Sequence, residues 1–129
     1  MEKEFEMGPL QKMWITSLRK HPERQTTHEL GKGTPRNYTA CCLGELHLCA
    51  YRMKKKKLPF YNGLIKDDNR NAVLSHSYEK YGLKSESGSS KISYMNEDQL
   101  SAMNDNGATW TEIADLIENN PEAFFDKSV

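Results

Sequence analysis

The sequence predicts an α+β fold in a single compact domain over residues 1–129, with four or five short helices around a small antiparallel sheet. Four segments, at 9–20, 41–53, 71–81 and 109–118, carry apolar residues at the three- and four-residue spacing of an amphipathic helix. Strand signals are short and lie between these segments. A chain of 129 residues forms one hydrophobic core rather than two.

The first helix is predicted to begin at Pro9, because proline suits the first turn of a helix. Pro22 discourages its continuation, so the helix should end near residue 20. Apolar residues recur along one face of this segment: Leu10, Met13, Trp14 and Leu18. Residues 1–8 are predicted to be a flexible arm.

Residues 23–38 are polar and contain two glycines and a proline, which predicts an ordered loop with short strands near residues 27–30 and near Tyr38. Thr39 is a suitable N-cap for a second helix over about 41–53. One stripe of this helix is apolar and should face the core: Cys42, Leu46, Cys49 and Met53.

Four consecutive lysines at 54–57 follow the second helix. Positive charge is favourable at the carboxyl end of a helix, where the helix dipole is negative. Attraction of an anion is the alternative role for these lysines. Next along the chain, Asn62-Gly63 between apolar residues predicts a β-hairpin over 60–65.

A third helix is predicted over 71–81, since Gly82 is placed to end it. Its apolar side consists of Leu74, Tyr78 and Tyr81. The serine-rich segment after it predicts a flexible loop over 84–91.

Cap signals define the helices near the end of the chain. Asn96 followed by Gln99 predicts a short helix that ends near residue 103. Thr109 and Glu112 form a full capping box for the last helix. The apolar stripe of that helix should face the core: Ile113, Leu116 and Ile117.

The overall charge argues against two classes of partner. Lysines and arginines number 18, as do aspartates and glutamates, so the net charge is zero. Such a chain has no long-range attraction for long nucleic acids or anionic membranes. No apolar run approaches the roughly 20 residues that cross a bilayer. The acidic N-terminal segment lacks the core of a signal peptide, so a cytoplasmic location is expected.

The sequence predicts no catalytic residue, no metal site and no cofactor. Its three cysteines, Cys41, Cys42 and Cys49, have neither the pattern of a disulfide framework nor the spacing of a zinc site. Reduced, buried thiols are therefore expected. The four histidines share no ligand spacing, and the sequence contains no GxSxG, HExxH or phosphate-loop motif.

Polar residues instead predict one pocket between the first loop and the turn at Asn104. A nucleotide site needs hydrogen-bonding groups, an aromatic face for the base and a cation for the phosphate. The candidate ligand-binding residues are Trp14, Arg19, Gln25, Thr26, Thr27, Arg36, Tyr38, Asn104 and Asp105. Each has a structural alternative: the tryptophans as core residues, the Asn-Asp pair as a cap or turn, and the Gln-Thr-Thr segment as an exposed loop or short strand.

Several segments together resemble a family of small, uncharacterised phage-encoded proteins. The family has a Trp and a Leu-Arg on its first helix, a Gln-rich stretch, an aromatic-x-x-aromatic-Gly-Leu segment and two longer motifs. The matching segments here are Trp14 with Leu18-Arg19, Arg24–Thr27, Cys41-Cys42-Leu43-Gly44, Tyr78–Leu83, Asn104-Asp105 and Ile113–Glu118. Ala40 stands where the family usually has an aromatic residue, and Tyr38 lies two residues earlier.

The resemblance implies a role in phage counter-defence, in the cytoplasm of the host cell. One class of small phage proteins sequesters nucleotide-derived immune signals, such as cyclic ADP-ribose derivatives or cyclic dinucleotides, and another class cleaves them. Sequestration of such a phosphate-bearing signal by a homo-oligomer is thus the expected function. Cleavage of the signal and inhibition of a host protein by direct binding are the alternatives.

Overall fold

The computed structural model describes residues 5–67, 78–84 and 100–129. These residues form five α-helices: α1 (Pro9–Lys20), α2 (Cys42–Met53), α3 (Leu100–Asp105), α4 (Trp110–Asn119) and α5 (Pro121–Phe124). They also form four strands: β1 (Gly31–Thr34), β2 (Asn37–Ala40), β3 (Phe60–Tyr61) and β4 (Leu64–Ile65). Short 3₁₀-helices lie at Pro22–Arg24 and Tyr78–Tyr81. The predicted α+β class is confirmed.

The four strands form one antiparallel sheet in the order β2-β1-β4-β3. Side chains alternate between the two faces of a strand, so cross-strand partners share a face. Ala40 and Ile65 are buried on the inner face, which also carries Phe60, the partner of Ile65. The outer face carries one row of neighbours across all four strands: Thr39, Lys32, Leu64 and Tyr61.

Helix α1 has the bounds that its sequence predicts. Gly8 is the N-cap, Pro9 occupies the first position, and the Gln11 side chain accepts a hydrogen bond from the Gly8 N–H at 3.0 Å. The helix ends before Pro22, where the 3₁₀ turn begins. Its inner side packs against α2 and α4 through Trp14 and Leu18, both fully buried.

Helix α2 lies at the centre of the molecule, in contact with α1, α3 and β2. Every residue from 42 to 50 is buried, whereas Met53, predicted to complete the apolar stripe, is 42% exposed. The prediction that Thr39 caps this helix was wrong, because Thr39 belongs to β2. The N-cap is Cys41, whose Sγ accepts a hydrogen bond from the Gly44 N–H at 3.3 Å.

Gly44 allows the loop before the sheet to cross α2 closely. A Cβ atom at this position would lie 1.9 Å from the carbonyl oxygen of Leu30. The chain is tied there by a hydrogen bond from the Cys41 N–H to the same carbonyl, at 3.0 Å. The Cys-Cys-Leu-Gly segment therefore has a structural explanation as a helix start pressed against backbone.

The two hairpins differ in how well the sequence predicts them. The β3–β4 hairpin turns through Asn62 and Gly63, both with positive φ (52° and 80°), as the Asn-Gly signal predicts. The strand predicted at residues 27–30 was placed too early, since β1 spans Gly31–Thr34. That strand has little intrinsic β-propensity and forms through its pairing with β2 along its whole length.

The capping box of α4 is confirmed. Thr109 accepts a hydrogen bond from the Glu112 N–H at 3.1 Å, and Glu112 accepts one from the Thr109 N–H at 3.2 Å. Ile113 and Ile117 are fully buried and Leu116 is half-buried. The helix predicted over 71–81 and the start of the one predicted from residue 96 lie largely outside the described residues, as does nearly all of the loop predicted at 84–91.

The last residues of the chain run between α1 and the second 3₁₀ turn. Phe125 forms an isolated antiparallel bridge with Leu83 and packs on the rings of Phe5 and Trp14. The Nε2 group of Gln11 donates to the carbonyls of Tyr81 and Lys127. Across the described ranges, no helix combines the length and apolar character that crossing a bilayer requires.

Candidate functional site

Asn104, at the end of α3, is the centre of a buried polar network that we call the asparagine network. Its Oδ1 accepts hydrogen bonds from the Gln25 Nε2 (3.1 Å), the Cys42 N–H (3.2 Å) and the Trp110 Nε1 (3.3 Å). Its Nδ2 donates to the Thr26 carbonyl at 2.6 Å. Asn104 has no exposed surface, so its polar atoms are bonded within the protein.

Gln25 extends the asparagine network to the start of α4. Its Nε2 also donates to the Ala108 carbonyl at 2.6 Å, and its Oε1 accepts from the Trp110 N–H at 3.1 Å. Thr26 contributes backbone groups, since its N–H donates to the Ala40 carbonyl at 2.8 Å. The structure thus places Gln25 and Thr26 against Asn104, and their hydrogen bonds join this loop to α3, to the start of α4 and to β2.

Asp105 contacts the loop before the sheet on the outer side of that loop. One carboxylate oxygen accepts from the His28 N–H at 2.7 Å, and the other lies 3.5 Å from the His28 Nδ1. His28 has a positive φ of 66°, so this contact holds a conformation that non-glycine residues adopt infrequently. Thr27, immediately before it, is exposed and is the member of the predicted segment that faces outward.

The tryptophans lie in the core. Both Trp14 and Trp110 have no exposed surface. The Trp14 Nε1 donates to the Cys42 carbonyl at 2.7 Å, and its ring meets Phe125 edge-on. In this structure neither indole has an open face for a base: Trp14 is bonded to the start of α2 and Trp110 to Asn104 in α3.

The two arginines predicted to supply charge have different surroundings. Arg19 pairs with Asp115 at 2.8 Å and with Glu118 at 2.7 Å, and these bonds raise the pKa of its guanidinium. Two carboxylates more than offset its charge. Arg36 is exposed in the turn between β1 and β2, and no described residue forms a hydrogen bond or ion pair with its side chain.

Tyr38, the remaining predicted residue, organises a second polar group that we call the arginine cluster: Arg24, Tyr38, Glu45 and Arg52. The Tyr38 hydroxyl accepts from the Arg24 Nη1 (3.1 Å) and the Arg52 Nη2 (2.6 Å), and it donates to the Glu45 Oε1 (2.6 Å). Both guanidinium carbons also lie over the tyrosine ring, at 4.9 and 5.6 Å from its centroid.

Glu45 fixes the arginine cluster from within α2. It is fully buried and accepts from the Ser17 hydroxyl at 2.8 Å, while the Arg52 Nη1 lies 3.4 Å from its other oxygen. Burial and the bond to Glu45 raise the pKa of Tyr38 to about 12, against the opposing effect of Arg52. The phenol therefore remains protonated near neutral pH and continues to donate to Glu45.

The arginine cluster carries excess positive charge. It contains two guanidinium groups and one carboxylate. Arg24 donates one of its five side-chain N–H groups, to Tyr38, and has no carboxylate partner among the described residues. The Arg52 side chain is 34% exposed. Planar guanidinium groups with free donors are well suited to phosphate or carboxylate ligands.

Sequence reasoning missed Arg24, Arg52 and Glu45 as members of a site. One signal was present: Glu45 and Arg52 are seven residues apart, which places them on the same side of a helix two turns apart. A carboxylate on a helix rich in apolar residues and cysteines needs buried donors. The partners themselves come from another helix, a turn and a strand.

The described residues form several surface grooves, of which two have volumes above 500 Å³. One, of about 750 Å³, follows α1, with Met7 and Ile15 on its floor and Lys12, Arg19 and Lys20 around it. The other, of about 580 Å³, lies at the β3–β4 hairpin and includes Phe60, Asn62 and Lys66. Within the described part of the chain, no three His, Cys, Asp or Glu side chains are grouped as metal ligands.

The sequence matches no family model, and comparisons with curated proteins and with solved structures find no match.

Proposed function

We propose that this protein binds a phosphate-bearing nucleotide signal at the arginine cluster and holds it intact. In a phage-infected host cell, such binding would sequester an immune signal of the cyclic ADP-ribose or cyclic dinucleotide type. The observation that carries the proposal is the convergence of Arg24 and Arg52 on one tyrosine hydroxyl with a single carboxylate between them.

The arginine cluster is a better phosphate site than the asparagine network. Asn104 is fully buried and bonded on both its oxygen and its nitrogen, so a ligand would have to break internal hydrogen bonds to reach it. Arg24 is half-buried and keeps free N–H donors. A phosphate at this point would gain charge-assisted bonds without displacing a carboxylate from Arg24.

Positioning also supports binding at the arginine cluster. The Tyr38 ring restricts both guanidinium groups, and Glu45, which is in turn held by Ser17, restricts that of Arg52. Side chains fixed before the ligand arrives lose less conformational entropy on binding. The asparagine network joins the loop before Tyr38 to α3 and α4, and in this proposal it supports the site without touching the ligand.

Calorimetry with a panel of cyclic ADP-ribose isomers, cyclic dinucleotides and pyrophosphate tests the proposal. The wild type should bind at least one member, and Arg24→Gln should weaken that binding by roughly tenfold to a hundredfold, as expected for one charge-assisted contact. Denaturing the complex and analysing the released ligand should return it unchanged. Release of a cleaved product would replace sequestration by an enzymatic function.

Arg19→Gln is the matched control, because it removes the same charge from a site where two carboxylates offset it. Its effect on affinity should be small. Arg36→Gln tests the exposed arginine that the sequence also predicts as a phosphate ligand. No binding by the wild type across the panel would remove the proposal, and equal loss from the Arg19 and Arg24 variants would place the site elsewhere.

A second candidate function is inhibition of a host protein by direct binding. The groove along α1 favours it, because Met7 and Ile15 form an apolar floor with Lys12 and Lys20 beside it. An acidic amphipathic segment of a partner would match this surface. The test is co-purification from host lysate, with the Lys12→Glu and Lys20→Glu double variant expected to lose the partner.

A further inference from the structure

The β3–β4 hairpin supplies an aromatic surface next to the arginine cluster. Trp14 and Trp110 are fully buried and the Tyr38 ring is only 6% exposed, so none of these three offers an open face. Phe60 is half-buried, and its ring centroid lies 5.8 Å from that of Tyr38, in an edge-to-face arrangement.

Glycine in β1 makes this contact between separate strands possible. Gly33 lies directly opposite Tyr38 and has a φ of 121°. A Cβ atom there would come within 3.2 Å of the Tyr38 Cβ and within 2.8 Å of its Cα. Without a side chain at residue 33, the tyrosine ring extends across β1 toward Phe60 on the far strand.

We infer that the groove at the β3–β4 hairpin binds the base of the nucleotide whose phosphate the arginine cluster binds. The inference rests on the proposed function and deepens it by making a nucleobase, stacked on Phe60, part of the recognised ligand. The guanidinium carbons and the Phe60 ring all lie within 5.8 Å of the Tyr38 ring centroid. Tyr38 is therefore the shared neighbour of the arginine pair and of the Phe60 ring that lines the groove.

The other groups of the groove fit the same ligand. Its volume of about 580 Å³ lies in the usual range for small-molecule sites. The Asn62 side chain can donate and accept hydrogen bonds at a base edge, and Lys66 adds a cation.

The test compares 5′-AMP with ribose 5-phosphate, which has the same sugar and phosphate but no base. Stacking of one base on an aromatic ring should make 5′-AMP bind about fivefold to 150-fold more tightly to the wild type. Phe60→Leu should remove most of this preference while leaving the affinity for ribose 5-phosphate nearly unchanged. Phe60→Tyr, which keeps a ring, should restore the preference.

Phe5→Leu is the matched control, because Phe5 is also half-buried but stacks on Phe125. It should leave the preference intact. Equal binding of 5′-AMP and ribose 5-phosphate by the wild type would overturn the base site while leaving phosphate capture standing. A preference that survives in folded Phe60→Leu would overturn it as well. Failure of the wild type to bind these two compounds and every member of the wider panel would overturn both proposals.

Discussion

The Gln25 side chain donates a hydrogen bond to the Asn104 Oδ1 across 79 residues of sequence, at 3.1 Å. This bond closes a network that joins the loop before the sheet, the start of α2, the end of α3 and the start of α4. Buried side-chain networks of this kind fix the arrangement of elements when every polar atom in them is satisfied. Asn104 meets that condition, so its main effect should be on stability.

Asn104→Ala is expected to destabilise the fold by about 2–4 kcal/mol. It would leave the Cys42 N–H and the Trp110 Nε1 buried without their acceptor, and each unsatisfied buried group costs roughly 1–3 kcal/mol. Chemical denaturation measures the change. Thr27→Ala, an exposed change in the adjoining loop, should stay within about 0.5 kcal/mol. Similar losses of stability for the two variants would show that the asparagine network stabilises the fold no more than an exposed loop residue does.

Gly44→Ala is expected to be strongly destabilising, by about 3 kcal/mol or more, although alanine is the better helix former. The added Cβ would lie 1.9 Å from the Leu30 carbonyl oxygen, and this neighbour is backbone that cannot rotate away. Gly107→Ala is the comparison, since its Cβ would meet no atom within 4 Å and its cost comes from a φ of 103° alone. That variant should lose about 1–2 kcal/mol. Equal thermal stability of the two variants would contradict the clash.

Ile113→Ala should cost about 2–5 kcal/mol, because Ile113 is fully buried in the core-facing stripe of α4. Leu116→Ala, on the same helix but half-buried, should cost distinctly less. Urea denaturation of the two variants gives the comparison directly. A loss below about 0.5 kcal/mol at Ile113 would mean that α4 does not pack as the structure shows.

The three cysteines predict a loss of stability at alkaline pH. Burial raises the pKa of Cys41 to about 11 and that of Cys49 to about 12, and it raises the pKa of Cys42 in the same direction. An unfolded thiol ionises near 8.5, so above that pH the unfolded chain releases protons that the folded chain retains. The contribution of the protonated thiols to the free energy of unfolding is therefore complete below about pH 8.5, and it is lost as the pH rises towards 12.

Each thiol should contribute a slope of about 1.4 kcal/mol per pH unit within that window. Denaturation at a series of pH values between 8 and 11 measures the total slope. Cys49→Ala should reduce the slope, and alkylation of the folded wild type at pH 8 should be much slower than that of the unfolded chain. A free energy of unfolding that stays constant up to pH 11 would be inconsistent with buried thiols.

The parts of the fold that sequence predicts well are those with local causes. Pro9 and Pro22 bracket α1, Asn62-Gly63 sets the β3–β4 turn, and Thr109 with Glu112 starts α4. The N-cap of α2 was predicted wrongly, because cysteine is an unusual N-cap and the nearby Thr39 is a residue type that N-caps favour. β1 carried no strand signal of its own, since it consists of Gly-Lys-Gly-Thr and depends on its neighbours.

The site shows the same division between local and long-range causes. Sequence predicted that the first loop and the turn at Asn104 would line one ligand pocket, whereas in the structure Gln25 and Thr26 form hydrogen bonds directly to Asn104. The sequence did not predict these internal hydrogen bonds, because tertiary packing determines which partners far apart in sequence come into contact. The arginine cluster was missed for this reason, since Arg24 and Glu45 are joined only through Tyr38.

Arg52→Met is expected to destabilise the protein by about 3 kcal/mol, because it leaves the fully buried Glu45 without its cation. Ser17 and Tyr38 still donate to that carboxylate, which keeps the loss moderate. The double variant Glu45→Gln with Arg52→Met should recover part of the stability, since it removes both charges together.

Glu45→Gln alone keeps both arginines and raises the net positive charge of the arginine cluster, so in folded protein it should bind pyrophosphate more tightly than the wild type. A double-mutant cycle by chemical denaturation, with calorimetry of the same proteins, measures both effects. Additive losses in the cycle would show that Glu45 and Arg52 do not act as a pair, and weaker pyrophosphate binding by folded Glu45→Gln would argue against phosphate capture at these arginines.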